Sequence, residues 1–177
     1  TFFVTNGKPD YQNLIAQEAQ RGHTVAIHSA SHDYAKIYQS VDTYFADFDE
    51  MNSIITAQTG KAADLVRFPG GSSNTISKKY CYGIMSQLVC AVEERGFRYC
   101  DWNVSSGDAG GTTSTSQVVA NVIEGIKSNN VSVVLQHDIK NFSVDAVEQI
   151  IQWGLSEGYT FLPMTSTTPM SHHGVNN

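Results

Sequence analysis

Short runs of β-branched and aromatic residues alternate along this chain with longer runs of helical period. TFFV (1–4), HTVAI (23–27), DLVRF (64–68), FRYCDW (97–102), VSVVLQH (131–137) and YTFLP (159–163) predict strands. Between the first two, Pro9 suits a first helical turn, Leu14, Ile15 and Ala19 make an apolar stripe, and Gly22 ends the run. Ser40 predicts the cap of a helix that ends at Gly60, with Asp42 in its first turn and Phe45, Phe48, Ile54 and Ile55 on its apolar face. Further helices are predicted over 76–95, near 117–128 and over 144–157, and the polar stretch 164–177 predicts an irregular tail.

Strands separated by helices imply parallel pairing with crossover helices, an α/β class. His28 follows one predicted strand, Arg67 ends another, Asp108 lies in the loop after a third and His137 ends a fourth. Active sites of parallel α/β folds form at the carboxyl ends of strands. Reactive side chains from four strands on one rim favour a (β/α) barrel over an open sheet. The expected organisation is one domain over 1–163 followed by a tail over 164–177.

Composition narrows the classes. With 177 residues, 41% of them hydrophobic, the chain can bury one sizeable core. Its net charge of −6 and scattered Lys and Arg speak against a nucleic-acid partner. No stretch approaches the roughly 18 apolar residues of a membrane span. TFFVTNG has no basic leader, so any targeting segment would lie upstream. Cys81, Cys90 and Cys100 form no CxxC pair and read as buried structural thiols.

Four stretches carry candidate chemistry. In IHSASHDY, His28 and His32 supply two imidazoles from one short segment, which lowers the entropic cost of assembling a metal site; alone, the simpler reading is a pair of loop histidines. In RFPGGSSN, Pro69 and Gly70 mark a tight, exposed turn with backbone room for a ligand, and Arg67 before it calls for a carboxylate partner. In LQHD, His137 ends an apolar strand, where burial and a carboxylate tune an imidazole for acid–base work; the plainer reading is a core histidine. Asp108, in SSGDAGG, is a turn former or the partner of a histidine. His172 and His173 read as part of a surface tail.

In this order, these stretches resemble the polysaccharide deacetylase family (carbohydrate esterase family 4, the NodB-type domain), over nearly the whole chain. GHTVAIHSASH is similar to the metal motif, VRFPGGSSN to the third motif, WNVSSGDA to the fourth and VVLQHD to the fifth. The RFPGGSSN form resembles bacterial peptidoglycan N-acetylglucosamine deacetylases. The resemblance implies a distorted (β/α) barrel and a divalent metal, Zn²⁺ first, on His28 and His32. It further implies that Arg67 orients the catalytic base, Asp108 tunes the acid, His137 is the general acid and Leu135 lines the acetyl pocket. The family's Trp after the fourth-motif Asp is replaced by Ala109, and Trp102 reads as core. The family's Asp-Asp pair, which supplies the third ligand and the base, has no match; Asp33 and Asp138 do not fit that motif. The expectation is therefore a barrel without its first strand in this chain, with the pair before Thr1, a separate N-terminal piece being one way to carry it.

The implied function is removal of N-acetyl groups from cell-wall polysaccharide by a bacterial extracellular or cell-surface enzyme. The alternatives are a non-catalytic glycan-binding or structural relative, and a deacetylase of chitin oligomers or xylan.

Overall fold

The computed structural model describes all 177 residues. In chain order the elements are β1 (Phe2–Thr5), α1 (Asn13–Gln20), β2 (Val25–Ser29), α2 (Tyr34–Ile37), α3 (Val41–Thr59), β3 (Leu65–Val66), α4 (Ile84–Glu94) and β4 (Arg98–Tyr99), followed by β5 (Val104–Ser105), α5 (Thr115–Lys127), β6 (Val134–Leu135) and α6 (Asn141–Ser156). Every strand pair is parallel: one sheet has the order β1-β2-β3-β4, and a second pairs β5 with β6. The α/β class expected from the alternation is the one found.

The chain divides into two compact units, Thr1–Asp101 with Pro163–Asn177, and Trp102–Leu162. In the first unit, Ile27, Val66, Phe48, Met51, Ile55 and Leu88 sit at the centre of one apolar cluster. In the second, Val118, Val122 and Ile126 of α5 pack with Ala146 and Ile150 of α6.

Local chemistry sets the boundaries. Ser40 and Thr43 form a reciprocal capping box at the start of α3, and Gly60 closes that helix at φ 75°. The helix expected over 76–95 is interrupted: a 3₁₀ turn over Ser77–Lys79 precedes Gly83, whose φ of 78° lies outside helical space, and α4 starts only at Ile84.

Two strand expectations change. Residues 159–163 join no ladder; the Phe161 ring instead packs where Gly154 of α6 has no Cβ. The pairing partner of β6 is Val104–Ser105, which the sequence suggested to be loop. Asn103 explains this: its side chain donates to Val131 O and accepts from Val133 N, stapling the two segments side by side. The cysteines also differ, since Cys100 is buried, Cys81 half-buried and Cys90 exposed. Trp102, expected in the core, is half-buried.

Gly125 on α5 offers a test of this packing. A methyl there would collide with Val104 Cγ1 and lie 3.1 Å from its Cγ2, and Val104 is buried. Helix propensity alone favours Ala over Gly by about 1 kcal/mol, but overpacking a buried branched side chain costs roughly 1–3 kcal/mol. Gly125→Ala is expected to lower the thermal unfolding midpoint; a raised midpoint would show that the α5–β5 contact is looser than described.

Candidate active site

His28 is the penultimate residue of β2 and only half-buried, while its strand neighbours are buried. Its Nδ1 lies 2.6 Å from the carbonyl oxygen of Arg67, so Nδ1 donates and Nε2 carries the lone pair. After the strand, the chain turns sharply around the carboxylate of Asp47 from α3. That carboxylate accepts from Ser29 Oγ at 2.5 Å, Ala30 N at 2.8 Å and Ser31 N at 2.8 Å. Ser29 Oγ in turn accepts from His32 N at 2.9 Å. His32 is the one non-glycine residue with positive φ, at 52°. Such a backbone costs on the order of 1–3 kcal/mol and persists where surrounding contacts over-determine it; the Asp47–Ser29 network is that over-determination.

The turn brings the two imidazoles to a centroid separation of 5.0 Å with their planes tilted by 50°. Two imidazoles bound through nitrogen to one ion at about 2.1 Å and splayed tetrahedrally have centroids about 5 Å apart. The pair therefore fits two ligand positions of one metal. No third His, Cys, Asp or Glu joins them. Asp33 is engaged elsewhere, capping α2 through Ala35 N, and Asp138 is exposed.

Arg67 follows β3 and is buried. Its guanidinium donates to carbonyl oxygens, Nε to Cys100 O at 2.9 Å and Nη2 to Asp101 O at 2.8 Å, and it lies 4.1 Å from the centroid of the Phe3 ring. Phe68–Gly71 closes a turn through Gly71 N and Phe68 O at 2.8 Å, with Pro69 and Gly70 at its centre. Gly70 has φ 78°, and a Cβ there would stand 2.6 Å from the Tyr34 hydroxyl. The expected exposed turn is exposed only at Gly70; Pro69 is buried, its carbonyl accepting from Tyr38 OH at 2.7 Å.

In the second unit, Asp108 lies just after β5 and His137 just after β6. Asp108 is buried, and one oxygen accepts from His137 Nδ1 at 2.7 Å. The other accepts from His137 N at 2.7 Å and Ser143 Oγ at 2.6 Å, and Lys140 Nζ donates to the Asp108 carbonyl. The His137 side chain remains 38% exposed, so the imidazole reaches solvent while its orienting carboxylate does not. Burial pushes the Asp108 carboxyl up, but hydrogen bonds from Ser143 and from the His137 ring and main chain, with the imidazole's charge, outweigh it and hold its pKa below the ordinary value. Leu135 of β6 is half-buried and Ala109 exposed.

The catalytic domain of a peptidoglycan N-acetylglucosamine deacetylase from Eubacterium rectale is 69% identical and superposes with a TM-score of 0.98, over 99% of this chain and 80% of that one. The chain belongs to the polysaccharide deacetylase family. The model of this family, described as polysaccharide deacetylase, matches residues 1–82. A polysaccharide deacetylase of Bacillus cereus is 29% identical with a TM-score of 0.79, over 99% of this chain and 82% of that one. A curated peptidoglycan-N-acetylglucosamine deacetylase of the same species is 29% identical over 91% of this chain. This chain spans 58% of that relative's length and 60% of a second, Bacillus subtilis relative's.

Sequence reasoning passed over Asp47, Asp101 and Ser143. Each had a signal. Asp47 sits among buried Tyr44, Phe48 and Met51 on the apolar face of α3, Asp101 interrupts the apolar run RYCDW, and Ser143 shares a helical face with buried Ala146 and Ile150. A polar residue inside an apolar stripe implies a buried partner.

Because the folded-state pKa of Asp108 is depressed, its stabilisation is complete above the unfolded value of about 3.9 and is lost as pH falls through the folded value. Asp108→Asn is expected to unfold at a lower temperature at neutral pH and to lose less on acidification below about pH 4. Parallel melting-temperature profiles for variant and parent would contradict this.

Proposed function

We propose that this chain is the deacetylase domain of a metal-dependent hydrolase that removes N-acetyl groups from cell-wall polysaccharide, the N-acetylglucosamine of peptidoglycan. The observation that supports this best is the His28–His32 pair, whose turn, His28 tautomer and splay suit one ion. The first two are set by Asp47 and the Arg67 carbonyl. The 69% identical relative, a peptidoglycan N-acetylglucosamine deacetylase, supports the substrate class.

A divalent ion bound there, Zn²⁺ by its preference for imidazole, would supply Lewis-acid polarisation of a carbonyl and would lower the pKa of water from about 15.7 towards 7. His28 would hold it through the nitrogen that its bond to the Arg67 carbonyl leaves as acceptor, and His32 would supply the second imidazole. His137 donates the proton that the departing sugar amine requires: with Nδ1–H committed to the buried Asp108 carboxylate, Nε2 is the ring nitrogen left for that transfer. Arg67 orients the base that deprotonates water, and Leu135 lines the pocket for the acetyl methyl. The third ligand and that base come from carboxylates outside residues 1–177. On this reading the enzyme works at the bacterial cell surface, where such a substrate lies.

The test uses the full-length protein and acetate release from acetylated glucosamine oligomers and peptidoglycan. Chelation is expected to stop release and Zn²⁺ to restore it. His28→Ala should lose both metal and activity, whereas His137→Ala should keep the metal and lose about 10²–10⁴-fold in rate. Undiminished release by both variants would refute the assignment. Residues 1–177 alone are expected to turn over no substrate; full-rate turnover would place the base within them.

A further inference from the structure

Residues 171–177 have no regular secondary structure, yet they run along the outer strand β4 and then across the segment that follows RFPGG. Asp101 N donates to Ser171 O at 2.7 Å. The His172 ring stacks on Tyr99 at 3.9 Å between centroids and 11° between planes, with Nε2 3.0 Å from Tyr99 O. His173 N donates to the Asp101 carboxylate at 2.9 Å, and its Nδ1 lies 3.0 Å from Ser73 Oγ. The same Asp101 carboxylate accepts from Ser72 N at 2.8 Å and Ser72 Oγ at 2.5 Å.

Asn177 closes the far end. The N-cap position of α4 is Gly83, which has no side chain to cap the helix. The Asn177 carboxamide oxygen takes that part, accepting from Met85 N at 2.9 Å, while its nitrogen donates to Ser77 Oγ at 3.0 Å. Residues 171–177 thus hold the segment 72–85 at both ends, from nearly a hundred positions away. Ordering such an irregular stretch costs conformational entropy, which these contacts offset.

We propose that residues 171–177 form a positioning strap for the deacetylase centre, acting through Asp101 and the RFPGGSSN loop on Arg67; this rests on the function proposed above. Asp101 is the hinge of the argument. Its side chain binds strap and loop, and its main-chain oxygen receives Arg67 Nη2. Without His173 N, one oxygen of a fully buried carboxylate loses a donor, and relaxation of Asp101 moves the carbonyl that aims the guanidinium.

The experiment compares full-length protein with variants lacking residues 172–177 or carrying His173→Pro, Asn177→Ala or Asn177→Asp. The readouts are kcat and KM for acetate release from an N-acetylglucosamine oligomer, bound metal, and amide hydrogen exchange over residues 69–85. The deletion and His173→Pro are expected to lower kcat about tenfold or more, as misplacement near a reacting centre does, with KM and metal content near parental values. Exchange over 69–85 should quicken. Asn177→Ala should quicken exchange at the start of α4, and Asn177→Asp, which keeps the capping oxygen, should restore it. Parental kcat in the deletion variant overturns the positioning role, and unchanged exchange overturns the strap itself. If the deletion unfolds the protein, the single substitutions decide. If the parent releases no acetate, the functional reading fails while exchange still decides the strap.

Discussion

A carboxylate taken out of water must be met by donors, and three aspartates impose that demand here. Asp47, Asp101 and Asp108 are all buried. Each accepts from one serine hydroxyl, Ser29, Ser72 or Ser143 respectively, and from backbone N–H groups of a loop that carries functional side chains or borders one. A buried charge left short of donors is strongly destabilising. These loops are consequently not free to choose among conformations. The first carboxylate shapes the turn between two imidazoles, the second joins the glycine turn to a distant segment, and the third fixes an imidazole directly.

The two histidines with the clearest surroundings share a tautomer but not a partner. His28 Nδ1 faces a main-chain carbonyl, and His137 Nδ1 faces a carboxylate. A carbonyl orients a neutral ring without adding a charge, which suits a ligand that must keep its lone pair. A carboxylate holds the ring through Nδ1–H and sets a buried acidic group beside it. The partner atom alone separates the two settings.

Much of this was legible beforehand. The alternation of strand and helix, the cap at Ser40 and the stop at Gly60 depend on neighbours in sequence, and the structure has them where the pattern placed them. The motifs naming His28, His32, Arg67, Asp108 and His137 were also visible, and the structure groups the first three in one unit and the last two in the other. What stayed hidden depends on distance along the chain. Asn103 pairs two short segments through side-chain bonds to residues about thirty positions on, so β5 lacked a run of its own. Residues 159–163 have strand composition but no ladder partner, because composition specifies propensity and not pairing. The irregular stretch 171–177 looked like a tail because nothing local orders it.

His32 holds a left-handed backbone only because Ser29, Asp47 and the start of α2 leave it nowhere else to go. The five letters HSASH are therefore not a portable module. Grafted onto another scaffold, they would carry two imidazoles and lose the angle between them. The smallest piece that could be transplanted with its geometry runs from Val25 through Phe48, taking in the strand, the turn, Tyr34 and the part of α3 that brings Asp47. Even then the recipient must offer a carbonyl where Arg67 does. For the same reason, searching genomes for such centres by the pentapeptide alone will gather many sequences that cannot build one; requiring a buried acid fifteen residues after the second histidine would sharpen the search.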